Sequence, residues 1–204
     1  MNLRANAVQL QITVSDMKQC YSIGWPLLVI SFWNAGQTFQ AEASLRPRVI
    51  VTTDGEVDDR CSMIRFLLYA NDWNVQGLIH SSSKHHWKGN DQTAGHKWHD
   101  VIWLDAQLKA YEAVCPNLKL HDSMYPAVDD LRSQVFVGNI ELEGDMRTST
   151  PGSDHIVDVL LEADPSPVWL QAWGGANTIS RALRSIKEQY PDASLMFRRK
   201  PGSI

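Results

Sequence analysis

Cysteine is scarce in this sequence. There are three in 204 residues (Cys20, Cys61 and Cys115), and no C-x-x-C pair. That excludes a disulfide framework and a cysteine-built zinc module. Positive charge is not in excess either: 19 Lys and Arg stand against 23 Asp and Glu, a formal net charge of −4. A surface of that sign offers no electrostatic footprint for a phosphate backbone, so nucleic acid is not the expected partner. No apolar run approaches the roughly 20 residues of a membrane-spanning helix, and no internal repeat is visible. What is present is ordinary for a globular chain, 44% hydrophobic and 21% charged residues, with a length that suits one domain. Tryptophan is the exception. Eight are present, and the cost of burying an unpaired indole N–H predicts that some line a pocket or groove.

The longest apolar stretch, Ser22 to Gly36, contains no charge and follows Lys18. Ala41-Glu42-Ala43 comes soon after. A basic start, a short apolar stretch and an A-x-A site together read as a secretory signal peptide. Residues 17–43 form that signal if translation starts at Met17, and residues 1–16 are then an extension. Pro26 and the missing amphipathic period oppose the alternative of a buried helix. The expected domain is 44–192, exported to the periplasm or outside the cell and free of the membrane once cleaved.

From residue 48 onward the pattern alternates. Arg48–Thr53 (RVIVTT) is a β-branched run bounded by Pro47 and Asp54-Gly55, a buried strand. Asp58–Ala70 has helical apolar spacing, and Asn74–His80 reads as a second strand. Ser81–Gln92 is polar and loop-like. Thr93–Val114 reads as a long helix closed by Cys115-Pro116-Asn117, and Tyr125–Val137 as another. Gly138–Gly152 is a loop, and Ser153 is the expected cap of a helix through Leu161. Pro167–Trp173 is a third strand, and Gly174-Gly175 leads into a helix over Ala176–Tyr190. This order predicts an α/β fold: a mainly parallel, Rossmann-like sheet with helices on both faces. Residues 193–204 are basic and aperiodic, consistent with a natural tail or with a truncated or frame-shifted gene product.

The main chemical signal follows the first strand: Thr52-Thr53-Asp54-Gly55-Glu56-Val57-Asp58-Asp59. Open α/β sheets bind ligands at the carboxyl ends of their strands. Acids at this density raise one another's pKa unless a cation joins them, and hard oxygens on a Gly-containing turn suit Ca²⁺ or Mg²⁺. The alternative is a solvated loop in which Asp58 and Asp59 are helix N-terminal charges. A second signal, Trp173-Gly174-Gly175-Ala176-Asn177, falls at the same sheet edge, where glycines let backbone approach a ligand. A third is Ser81–Asn90 (SSSKHHWKGN), in which His85, His86 and Trp87 are suited to contact a ring or a sugar. His96 and His99 are spaced three apart. With His85 or His86 they allow a zinc site on paper, although an exposed helix face is the preferred reading.

TDGEVDD at the end of a first strand resembles the D-x-D-P-G-x-D-D fingerprint of the inosine–uridine nucleoside hydrolases. The stretches RVIVTTDGEVDDRCSMIRFLLYAND, GLIHSSSKHHWKG, YPAVDDLRS and GSDHIVDVLLEADPSPVWLQAWGGANTISRAL resemble more closely the nucleoside hydrolase-like domains often labelled cellulose-binding. The resemblance implies one active-site Ca²⁺. It implies that Asp54 ligates the ion and acts as general base, that Asp59 ligates it, and that Asp58 holds sugar hydroxyls. It also implies that a backbone carbonyl at Trp173 completes part of the shell.

Three departures stand out. Thr52 replaces the first Asp, Gly55-Glu56 replaces Pro-Gly, and a further ligating Asp is expected in a segment beyond residue 192. An incomplete domain with weak calcium binding is therefore expected. The implied chemistry is hydrolysis of an N- or O-glycosidic bond in a nucleoside or carbohydrate, with His86, Trp87 and Asn177 as candidate ligand contacts. A non-enzymatic carbohydrate-binding module on the same fold is the alternative. A dehalogenase-like phosphohydrolase fits poorly, because Glu56 stands where its second Asp is needed.

Overall fold

The computed structural model describes residues 46–164 and 166–192. The expected signal at 17–43 and the tail at 193–204 lie outside the described residues. The described residues form four strands: β1 (Arg48–Thr53), β2 (Asn74–His80), β3 (Val135–Val137) and β4 (Val168–Ala172). Among the described residues five α-helices accompany them: α1 (Val57–Leu68), α2 (Ile102–His121), α3 (Val128–Ser133), α4 (Pro151–Leu161) and α5 (Asn177–Gln189). The strands form one parallel sheet of order β3-β2-β1-β4. Among the described residues no helix is long and apolar enough to cross a membrane.

Every residue of β1 is buried, as a continuous β-branched run requires when both faces of its sheet are covered. Alternate residues supply the two faces. Val49 and Val51 join Leu78, Met63 and Phe66 of α1, and Leu104 and Leu108 of α2, in one core cluster. Ile50 and Ile79 join Ile156 and Val159 of α4, and Ala182 and Ile186 of α5, in the other. Burying side chains of this size contributes about 1.5–3 kcal/mol each. The expected α/β architecture, with helices on both faces of a parallel sheet, is therefore observed.

Three local expectations are corrected. The helix expected over Thr93–Val114 begins instead at Ile102 and runs to His121. The residues before it are held as a hairpin, with Trp87 and His96 exchanging backbone hydrogen bonds at 3.1 and 2.9 Å. Pro116 lies inside α2 rather than ending it, because Leu118 packs against the core beyond it and that burial outweighs the lost backbone bond. Second, the helix expected over Tyr125–Val137 covers only Val128–Ser133. Val135–Val137 becomes β3 because the free edge of β2 at Leu78–His80 accepts it. Third, α4 is capped by Thr150, whose hydroxyl accepts the Ser153 N–H at 3.3 Å.

The connection order places a crossover between β1 and β4. From β1 the chain moves outward through β2 to β3, then returns to add β4 on the far side of β1. The segments leaving the carboxyl ends of β1 and β4 part to opposite faces, opening the crevice where such sheets bind ligands.

Candidate functional site

Asp54 is the first residue past β1 and is 2% exposed. Its Oδ1 accepts the Glu56 N–H at 3.1 Å, so the turn closes on its own carboxylate. Gly55 is required in that turn twice over. Its φ is +77°, and a Cβ there would lie 2.2 Å from Nε1 of Trp103. The turn leads directly into α1, where Asp59 faces back toward the strand. Asp59 Oδ2 accepts the Thr53 hydroxyl at 2.6 Å and the Asp54 N–H at 2.9 Å. Asp58, one residue earlier, falls on the opposite side of the helix and is exposed. The structure thus brings Asp54 and Asp59 together and leaves Asp58 in solvent.

The glycine turn after β4 arrives at the same place. A Cβ on Gly174 would lie 2.9 Å from the Asp54 nitrogen and 3.0 Å from its Cγ, and one on Gly175 would lie 2.2 Å from the Ser82 carbonyl. Only glycine lets the turn after β4 pack this closely against Asp54 and the loop after β2. The Trp173 indole itself faces away, edge-on to Phe66 at 5.6 Å, with its N–H donated to Gln171.

The loop after β2 contributes His86. Ser83 turns this loop tightly: its N–H donates to the His86 carbonyl at 2.9 Å, and its hydroxyl accepts the His86 N–H at 3.1 Å. His86 is 4% exposed. Its Nδ1 stands 3.6 Å from Asp54 Oδ2 and 3.7 Å from Glu56 Oε2. These separations are too long for hydrogen bonds, and the nitrogen has no hydrogen-bond partner. His99 lies against His86 with ring centroids 5.0 Å apart. The sequence does not single out Glu56, and it offers His99 only as a zinc ligand on paper, with an exposed helix face preferred. Glu56 reads only as one of a run of acids, and His99 falls in the stretch before Ile102, where the long helix actually begins.

Electrostatics separates the two carboxylates. Burial pushes Asp59 up to about 6, against the pull of the Thr53 and Asp54 donors, with the neighbouring Asp54 charge adding to the rise. Burial acts on Asp54 in the same sense. There it is overcome by hydrogen bonds from the Ser83 hydroxyl, the Glu56 N–H and Asp59, with His86 close by, which hold Asp54 below its ordinary value. Asp54 therefore gives up its proton first, and Asp59 follows only near pH 6. His80, at the end of β2, is pulled down to about 4 chiefly by burial, stacked on Trp98 at 4.6 Å.

The donor set fits a divalent cation at Asp54. One ligand atom each from Asp54, Glu56 and His86 lies within 4.8 Å of the others, and the unpartnered His86 nitrogen faces both carboxylates. Asp59 stands behind Asp54 with one oxygen already accepting two donors.

The two remaining sequence candidates are engaged elsewhere. Trp87 stacks on His96 at 4.8 Å and donates its indole N–H to Ala94. Asn177, at the start of α5, donates to Ser82 Oγ and to the Asn139 and Asp145 carbonyls, and accepts from Ser81 Oγ. It ties together the loops that follow β2, β3 and β4.

Residues 48–200 match the family model of the cellulose-binding Sde182, nucleoside hydrolase-like domain. Among solved structures, the chain resembles a nucleoside hydrolase-related protein from Saccharophagus degradans that is associated with carbohydrate metabolism. The two are 29% identical with a TM-score of 0.64, over 74% of this chain and 36% of that one. The chain thus spans little more than a third of that protein's length. No curated protein matches it.

Proposed function

The chain belongs to the family of cellulose-binding, nucleoside hydrolase-like domains, and from that premise we propose that it hydrolyses glycosidic bonds of a carbohydrate-related small molecule at a cation site built on Asp54. The observation that carries this reading is the state of Asp54: buried, charged, and located where the turns after β1 and β4 meet. A surface acid has no reason to be held this way.

In this reading Asp54 takes the proton from the attacking water. The water oxygen bonds to the anomeric carbon, the glycosidic bond breaks, and the proton is delivered to the leaving group. A divalent cation bound there supplies the charge that makes the water acidic enough to attack at neutral pH. Asp59 holds the Asp54 backbone in place through its amide. Asp58, which the resemblance implies holds sugar hydroxyls, is exposed and takes no part in this reading. Asn177 acts by fixing the three loops. Calcium is the ion that the resemblance implies, with Asp54, Asp59 and the Trp173 carbonyl as its ligands. The protein is exported, with the mature chain starting near Ser44, which N-terminal sequencing of the secreted product checks.

A second reading has support of its own. Asp58 is exposed, and Asp59 already has one oxygen occupied by two donors. The described residues therefore offer calcium fewer than the six to eight oxygens it takes. That favours a carbohydrate-binding protein without turnover. Release of reducing sugar from nucleosides and cello-oligosaccharides, compared between the parent and Asp54→Asn, separates the two. Turnover that falls about 100-fold or more in the variant supports the hydrolase. Saturable binding with no release by the parent supports the binding protein.

A further inference from the structure

We propose that the cation-binding unit of this chain is the carboxylate–carboxylate–imidazole set Asp54, Glu56 and His86, and that it takes a borderline divalent transition ion, Zn²⁺ foremost, in preference to Ca²⁺. The inference rests on the cation site proposed above and names the ion's class.

Its first support is the imidazole. His86 is 4% exposed and its Nδ1 is buried without a hydrogen-bond partner. A buried polar atom left in this state is costly. It faces two carboxylate oxygens at 3.6 and 3.7 Å. Two ligands bound about 2.0–2.1 Å from a tetrahedral ion stand about 3.4 Å apart. The gap is therefore too wide for direct hydrogen bonds and close to the width that a shared ion needs.

The second support is that two of the three ligands, His86 and Asp54, are held before any ion arrives. His86 is fixed through the paired backbone and hydroxyl contacts with Ser83. Asp54 is fixed by the Glu56 N–H and confined by Gly174. The Glu56 side chain is 45% exposed, which leaves one side of the set open. Three protein ligands and an open position are the arrangement of catalytic rather than structural zinc sites.

The third support is donor chemistry. Calcium takes oxygen ligands almost exclusively, whereas imidazole nitrogen favours zinc, iron, nickel and copper. The Gly55-Glu56 pair, which stands where the resembling fingerprint has Pro-Gly, supplies the second carboxylate of this set. Asp59, hydrogen-bonded to the Asp54 amide, is then an outer residue that orients a ligand.

The test uses the full chain after treatment with chelator. Zn²⁺ and Ca²⁺ are titrated separately by calorimetry, and Co²⁺ is added as a spectroscopic probe. One Zn²⁺ is expected per chain, bound about 100-fold or more tightly than Ca²⁺. His86→Gln and Glu56→Gln should each weaken Zn²⁺ by about 100-fold with unchanged circular dichroism, and Asp59→Asn by about 10-fold. X-ray absorption at the cobalt edge of the parent should show imidazole scattering, which keeps the inference testable if a variant fails to fold. Tighter binding of Ca²⁺, a Zn²⁺ affinity indifferent to both His86 and Glu56, or a cobalt shell without imidazole overturns it. Zn²⁺ held through His86 without cleavage of any glycoside upholds this inference and removes the hydrolase reading. Calcium-dependent cleavage indifferent to His86 does the reverse.

Discussion

Asp59 reaches back from the first turn of α1 to accept the backbone N–H of Asp54 at 2.9 Å. One carboxylate thereby positions the other, and the two buried acids titrate apart.

Asp59→Asn follows from that relationship. Asp59 is raised to about 6 in the fold, from about 3.9 in an unfolded chain. The folded protein therefore binds more protons than the unfolded one between those values, and stability is lost as pH rises through them. The asparagine carbonyl still accepts from Thr53 and the Asp54 amide and carries no charge. In the absence of metal the variant should be more stable than the parent by about 1–3 kcal/mol at pH 7–8 and equal to it below about pH 4. Melting temperatures across that range, measured in chelator, check the prediction. A variant less stable than the parent at pH 7.5 contradicts it.

His80 works in the opposite sense. Burial lowers it to about 4 in the fold against about 6.5 when unfolded. The unfolded chain binds the extra proton between these values, so stability falls as pH drops through that window. The full effect, reached below pH 4, is about 3 kcal/mol. Between about pH 4 and 6 it offsets the contribution of Asp59. Urea unfolding should show His80→Gln losing its acid-side slope relative to the parent. An NMR titration placing the His80 midpoint above 6 refutes the assignment.

Gly174→Ala is expected to disrupt the site more than the fold. The new methyl would meet the Asp54 nitrogen at 2.9 Å and its Cγ at 3.0 Å. Either Asp54 or the β4 turn must move, at about 1–3 kcal/mol. Cation affinity should drop by about 10-fold or more while far-ultraviolet circular dichroism is retained, since a ligand displaced by a fraction of an ångström is a poor ligand. Affinity equal to that of the parent shows that the turn does not buttress Asp54.

Asn177→Ala separates positioning from ligand contact. The change removes one partner each from Ser81 Oγ, Ser82 Oγ and the Asn139 and Asp145 carbonyls in a buried network, at about 1–3 kcal/mol. A positioning residue predicts a lower melting temperature and faster hydrogen exchange at Asn139 and Asp145. Weaker sugar binding at an unchanged melting temperature assigns Asn177 to ligand contact instead.

The strands β1 and β2 and the helix α1 were legible in the sequence almost to the residue, because continuous β-branched runs and helical apolar spacing are local signals. β3 was not, since three residues have no period and only the edge of β2 makes them a strand. The stretch Thr93–Val101 reads as helix from composition, but the backbone of its first part, through His96, is claimed by the hairpin that joins Trp87 to His96. The acids after β1 announced a site without revealing which of them faced inward. Helix phase decided that, sending Asp59 inward and Asp58 out.

By itself the sequence determined a parallel α/β sheet and the placing of chemistry at Asp54, since strand pattern, glycine turns and an acidic run are written in consecutive residues. Only the tertiary structure decided which groups share that site. Glu56, His86 and the Gly174 turn come from three loops brought together by the return of β4 to the side of β1, and chain spacing carries no record of distances across a sheet.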